Sequence, residues 1–95
     1  MNNNSKTVRW LIFFSGEVQG VGFRYTAAAY ALELGLTGWV QNLIDGRVQM
    51  EAQGTPEQLT ELLISLKSTP PIVIEVFTVK ELPPDETESC FLITH

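Results

Sequence analysis

The change of period across Gly16–Gly22 constrains this chain more than any other feature. Before it, Val8, Trp10, Ile12 and Phe14 alternate with Arg9, Leu11, Phe13 and Ser15. That is the two-residue rhythm of a strand, apolar enough on both faces to be central in a sheet. After it, Phe23, Ala27, Tyr30, Ala31 and Leu34 fall at helical spacing, Ala27–Ala29 favour the helix, and Gly35 is a natural C-cap. Gly16, Gly20 and Gly22 make the turn between, and Arg24 stands where the helix begins. Such a turn aims several backbone N–H groups at one point, and a helix N-terminus favours anions. The arginine adds a planar, permanently charged fork matched to phosphate oxygens. A phosphate-sized pocket is therefore expected, formed by the amides of Val18, Gln19, Gly20, Val21, Gly22, Phe23 and Arg24.

Further along, Thr37 to Ile44 returns to strand character. Asp45-Gly46 reads as a two-residue hairpin turn, and Arg47 to Gln53 alternates cleanly, with Val48, Met50 and Ala52 on one face. A second helix opens with Thr55 as N-cap, Pro56 at its first position and Gln58 completing a capping box. Its stripe of Leu59, Leu62, Leu63 and Leu66 repeats the spacing of Ala27, Tyr30, Ala31 and Leu34, so both helices are expected on one side of one sheet. Ser68–Pro71 stops the helix. Ile72 to Leu82 is a long strand whose apolar phase slips between Val76 and Phe77, which predicts a bulge there and an edge able to pair with another chain. Pro83–Glu88 is an acidic, exposed loop, and Cys90 to Thr94 is a short last strand.

The order β-α-β-β-α-β, with its extra C-terminal strand, predicts an α+β fold. The fold is a ferredoxin-like sandwich, a mostly antiparallel sheet with two helices on one face. The crossover returns the second strand parallel to the first. Both strands then end at the same edge of the molecule, which brings Asn42 toward Arg24 although they are far apart in sequence.

Ninety-five residues, 44% of them hydrophobic, suit one domain, taken here as residues 8–95 behind a flexible lead-in of residues 1–7. The net charge is −5, and the basic residues Lys6, Arg9, Arg24, Arg47, Lys67 and Lys80 are scattered. This excludes the basic face of a nucleic-acid binder and confines anion binding to a small local site. No stretch is long enough to span a membrane, and the start of the chain does not read as a secretion signal. A single cysteine, Cys90, forms no internal disulfide, fits a cytoplasmic location and reads as a packed or edge-strand thiol. No metal or other cofactor is expected: the one histidine is His95, and the carboxylates lack ligand spacing.

Two motifs carry a family resemblance. Gly16-Glu17-Val18-Gln19-Gly20-Val21-Gly22-Phe23-Arg24 resembles the first signature of the acylphosphatase family, G-x-V-Q-G-V-x-F-R. Gly38-Trp39-Val40-Gln41-Asn42, continuing through Asp45-Gly46-Arg47-Val48, resembles the second, G-W-V-x-N…D-G-x-V. The similarity runs from about Val8 to Ile93. It implies the sandwich that the periodicity predicts and metal-independent hydrolysis of small acyl phosphates. By the same resemblance Arg24 binds the phosphate and Asn42 positions the attacking water, with inorganic phosphate or a similar anion able to occupy the site. The chain is expected to act as a monomer. Family members often carry a basic residue where this chain has Gln41. No residue is assigned to the acyl moiety.

Three other readings compete. Gln19–Tyr25 echoes the glycine-aromatic pattern of RNA-recognition modules, but it falls in a turn and not on a middle strand. A noncatalytic module of the kind found in hydrogenase-maturation proteins would keep the phosphate pocket without the activity. Dinucleotide binding fails because Tyr25 stands where its fingerprint needs a third glycine.

Overall fold

A computed structural model describes residues 6–95; the first five residues of the expected lead-in lie outside the described residues. The chain runs β1 (Val8–Glu17), α1 (Phe23–Leu34), β2 (Thr37–Asn42), β3 (Val48–Gly54), α2 (Pro56–Lys67), β4 (Val73–Leu82) and β5 (Phe91–Ile93). The strands form one sheet in the order β4-β1-β3-β2-β5. β1 and β2 each pair antiparallel with β3 and so run the same way, while β5 lies parallel to β2. This is the expected α+β sandwich, with β1 central and β4 at one edge.

The core forms as the apolar spacing requires. Ile12 and Phe14 of β1, Val40 of β2, and Val48, Met50 and Ala52 of β3 are fully buried. Above them pack Phe23, Ala27 and Ala31 of α1 and Leu59, Leu62 and Leu66 of α2. Removing a side chain such as Leu62 from this layer would cost about 2–5 kcal/mol. The capping box of α2 is formed: Gln58 N–H donates to Thr55 Oγ1, and Thr55 N–H donates to Gln58 Oε1.

Two local expectations are corrected. The bulge in β4 falls at Glu75, not between Val76 and Phe77. Ser15 pairs with Val76 and Gly16 with Ile74, leaving Glu75 as the extra residue. The irregularity is thus set by the strand opposite, where β1 bends into the glycine turn. The β2–β3 connection is also longer than a two-residue turn. β2 ends at Asn42, before the expected Ile44, and Leu43 N–H donates to Arg47 O while Gly46 N–H donates to Leu43 O. Gly46, at φ 97°, takes the left-handed position that closes a three-residue loop. Asp45 accepts from the Arg47 backbone and guanidinium, and these bonds hold its carboxyl below the usual range.

The acidic loop is exposed from Pro83 to Thr87 as expected, and it is tied down at both ends of its charged run. Asp85 N–H donates to Gln53 Oε1, and Gln53 Nε2 donates to Asp85 O. The Glu88 carboxylate is gripped by Arg9 through two bonds of 2.8 and 3.1 Å. Arg9 also reaches Glu51 at 2.7 Å and Gln53 at 3.0 Å. The guanidinium is buried but multiply paired, and Glu88 is the chief cause of its raised pKa.

Candidate active site

At the C-terminal ends of β1 and β2 a pocket of about 120 Å³ is lined by Val18, Gly20, Gly22, Phe23, Arg24, Tyr25 and Asn42. Its parts arrive from three directions. Val18 and Phe23 are buried anchors that fix the two ends of the turn in the core. Gly20 and Gly22 between them have φ of 74° and 78°, conformations that ordinary residues avoid. Open space lies where their side chains would be, so a ligand can approach the backbone closely. Gly22 is the N-cap of α1, and its side-chain-free position leaves the first turn uncapped. Among the described residues no backbone acceptor takes the N–H groups of Gly20 to Arg24. Such a run of free donors at a helix N-terminus is a site for an anion.

Arg24 sits in the first turn of α1, where the helix dipole disfavours a cation and no acidic residue offsets it. Its Nη1 donates to Thr94 O at 3.2 Å and meets His95 Nδ1 at 3.1 Å. Neither contact is with a carboxylate. Among the described residues no carboxylate forms an ion pair with Arg24, so its charge is steadied without being cancelled. Thr94 is held in turn by its N–H on Val40 O and its hydroxyl on Gln41 Oε1.

Asn42 enters from the end of β2. Its Oδ1 is buried and has no hydrogen-bond partner among the described residues. An unmet acceptor in a buried position is costly, and a pocket that holds one is ready for a donor. A water molecule supplies such a donor. Beside it, Gln41 donates to Gln49 Oε1 and accepts from Thr94, so the neutral residue in this position serves the framework of the site.

Of the residues predicted from sequence, Val18, Gly20, Gly22, Phe23, Arg24 and Asn42 come together in this one pocket. Gln19 and Val21 do not line it. The half-buried Gln19 directs its side chain to the β2–β3 loop, donating from Nε2 to Leu43 O at 2.7 Å and Arg47 O at 2.9 Å. It thereby fastens the glycine turn to the hairpin that follows Asn42. Val21 packs against the core. Sequence reasoning missed Thr94 and His95 because their contact with Arg24 depends on β5 lying beside β2. Tyr25, 68% exposed, also lines the pocket. Among the described residues there is no group of three or more metal-ligating side chains, and no helix is long and apolar enough to cross a membrane.

Comparison with known proteins gives a consistent result. The family model described as Acylphosphatase matches residues 10–93. A protein of Marinobacter nauticus named acylphosphatase is 43% identical over 92% of this chain and 96% of its own length. A second of that name, from Synechococcus, is 57% identical over 59% of this chain, and the match spans 56% of its own length. In three dimensions the crystal structure of an acylphosphatase from Bacillus subtilis is similar with a TM-score of 0.85 and 34% identity. That likeness covers 93% of this chain and 99% of the other.

Proposed function

The chain belongs to the acylphosphatase family, hydrolases of acyl phosphates, and we propose that it cleaves its substrate in the pocket between the glycine turn and β2, without a metal. In this reading the N–H groups of Val18 to Arg24, with the Arg24 guanidinium, hold the three nonbridging phosphoryl oxygens. Asn42 accepts a hydrogen bond from one water through Oδ1 and so aims the water's oxygen at phosphorus. The new P–O bond forms as the bond to the acyl oxygen breaks, and that electron pair leaves on the carboxylate. A carboxylate is a good leaving group and needs no general acid. The water's proton passes to a phosphoryl oxygen of the substrate, since an amide is no base. Positioning and charge stabilisation are what phosphoryl transfer chiefly requires.

The observation that carries this proposal is the buried, unpartnered Asn42 Oδ1 in the same pocket as an arginine free of carboxylate partners. A purely structural asparagine at a strand end would have its oxygen bonded. The acidic whole, with a net charge of −5, leaves few other places for an anion to settle. We further propose a monomer working in the cytoplasm, where a lone, exposed thiol such as Cys90 stays reduced.

Hydrolysis of acetyl phosphate in excess EDTA tests the reading. Turnover should persist, and Arg24→Ala should raise KM and weaken inhibition by inorganic phosphate. A well-folded protein that releases no phosphate from acetyl or benzoyl phosphate would overturn it.

A further inference from the structure

The phosphate pocket, at about 120 Å³, holds a phosphoryl group and a water, so the acyl group of a substrate lies at its mouth. In-line displacement puts the leaving oxygen on the far side of phosphorus from the attacking water, and so away from Asn42. Of the residues that line the pocket, all but one already have a part. Val18 and Phe23 are buried, Gly20 and Gly22 have no side chain, and Arg24 and Asn42 are assigned to phosphate and water. Tyr25 is the one that remains, and 68% of it is exposed.

Packing does not explain Tyr25. It lies outside the hydrophobic core and outside the set of partly buried residues packed against that core. Tyr30 of the same helix shows what a packing tyrosine does here: it rests on the core, and its hydroxyl lies 2.6 Å from Thr69 Oγ1. The residues three and four positions beyond Tyr25, where a helical side chain finds its neighbours, are Ala28 and Ala29. Neither methyl group is large enough to cover an aromatic ring. Side chains of a helix lean toward its N-terminus, which for Tyr25 is toward the glycine turn. A tyrosine costs little entropy to order and offers a broad flat face to a ligand. The pocket lining holds no cation besides Arg24, so a second negative charge on the acyl group would find no partner there.

We propose that Tyr25 is a specificity-determining residue for the acyl group, and that the preferred substrates are acyl phosphates with an uncharged aromatic ring beside the carbonyl. The phosphoryl group docks at the glycine turn and Arg24, and the flat acyl group extends out of the pocket against the tyrosine ring. This deepens the assignment of the phosphate pocket and rests on it.

Hydrolysis of benzoyl phosphate and acetyl phosphate by the intact protein and three variants tests this. The two substrates differ in intrinsic reactivity, which cancels when the benzoyl-to-acetyl ratio of kcat/KM is compared between proteins. Tyr25→Ala should lower that ratio about fivefold, the scale of losing one aromatic pair, with kcat/KM for acetyl phosphate and the Kd of inorganic phosphate within about twofold of the parent. Tyr25→Phe should keep the ratio. So should Ile44→Ala, at a fully exposed position in the β2–β3 loop that does not line the pocket. An unchanged ratio in Tyr25→Ala would overturn the assignment, whether activity stays intact or falls equally on both substrates, the latter being the mark of a structural role. A ratio that falls in Tyr25→Phe would put the selectivity on the hydroxyl and not the ring, and one that falls in Ile44→Ala would move the acyl group to the loop; either contradicts the proposal. A parent protein that hydrolyses neither substrate would instead sink the phosphate pocket itself, and the role of Tyr25 with it.

Discussion

Gln19 shows how much of the proposed site depends on side chains that never face the substrate. One amide spans the carbonyls of Leu43 and Arg47, on either side of the loop that follows Asn42. The glycine turn and the end of β2, proposed to bind phosphate and to position the water, are thereby locked to each other. Geometry at the level of an ångström decides rates in phosphoryl transfer. Gln19→Leu should therefore lower kcat about tenfold, with a smaller change in KM, and cost about 1–2 kcal/mol in urea unfolding. Gln19→Glu should do at least as badly, because a carboxylate would face two carbonyl oxygens. Steady-state kinetics beside a denaturation curve for each variant would check this, and a loss of stability with kcat intact would remove the positioning role. Gly20 and Gly22 make a different contribution, supplying backbone angles and an open approach.

At the scale of elements, the tether between Arg9 and Glu88 joins β1 to the loop that delivers β5. β5 carries Thr94 to Arg24, so a buried ion pair at one end of the molecule supports the arginine at the other. Arg9→Ala would leave Glu88 and Glu51 partly buried without a counter-charge and should destabilise the fold by about 3 kcal/mol. It should also weaken phosphate affinity, whereas Glu88→Gln, which keeps a hydrogen-bond acceptor, should do both less. Thermal melts and phosphate titrations of the two variants give the comparison. The elements themselves were legible because their apolar residues recur at fixed periods: the leucine stripe of α2 and the alternation in β3 are both buried as read. Pairing details were not, since the Glu75 bulge answers the bend of β1 at Gly16, and the hairpin length follows from how Leu43 and Arg47 meet. Arg24 and Asn42 were legible as a pair through topology, which set two parallel strand ends at one edge, and through the two motifs that carry the family resemblance. The clasp of Thr94 and His95 left no local trace in sequence.

Across the whole molecule, the two edges of the sheet differ. β5 is short and serves the site, whereas β4 leaves Val73, Val76, Phe77 and Val79 exposed along a free edge. The Glu75 bulge, Lys80 and the prolines after Leu82 are features that discourage such an edge from pairing with another chain. The proposed site lies elsewhere, at the C-terminal ends of β1 and β2, where Asn42 meets the glycine turn. Everything proposed for the reaction converges on Asn42, the group that must place the water. The most direct measurement is therefore single-variant kinetics of Asn42→Ala with acetyl phosphate, paired with its dissociation constant for inorganic phosphate. The expected result is a fall in kcat of at least about 100-fold, the scale of losing one oriented polar group at a reacting centre, with phosphate affinity within about twofold of the parent. A well-folded Asn42→Ala that keeps the parent kcat would contradict the account.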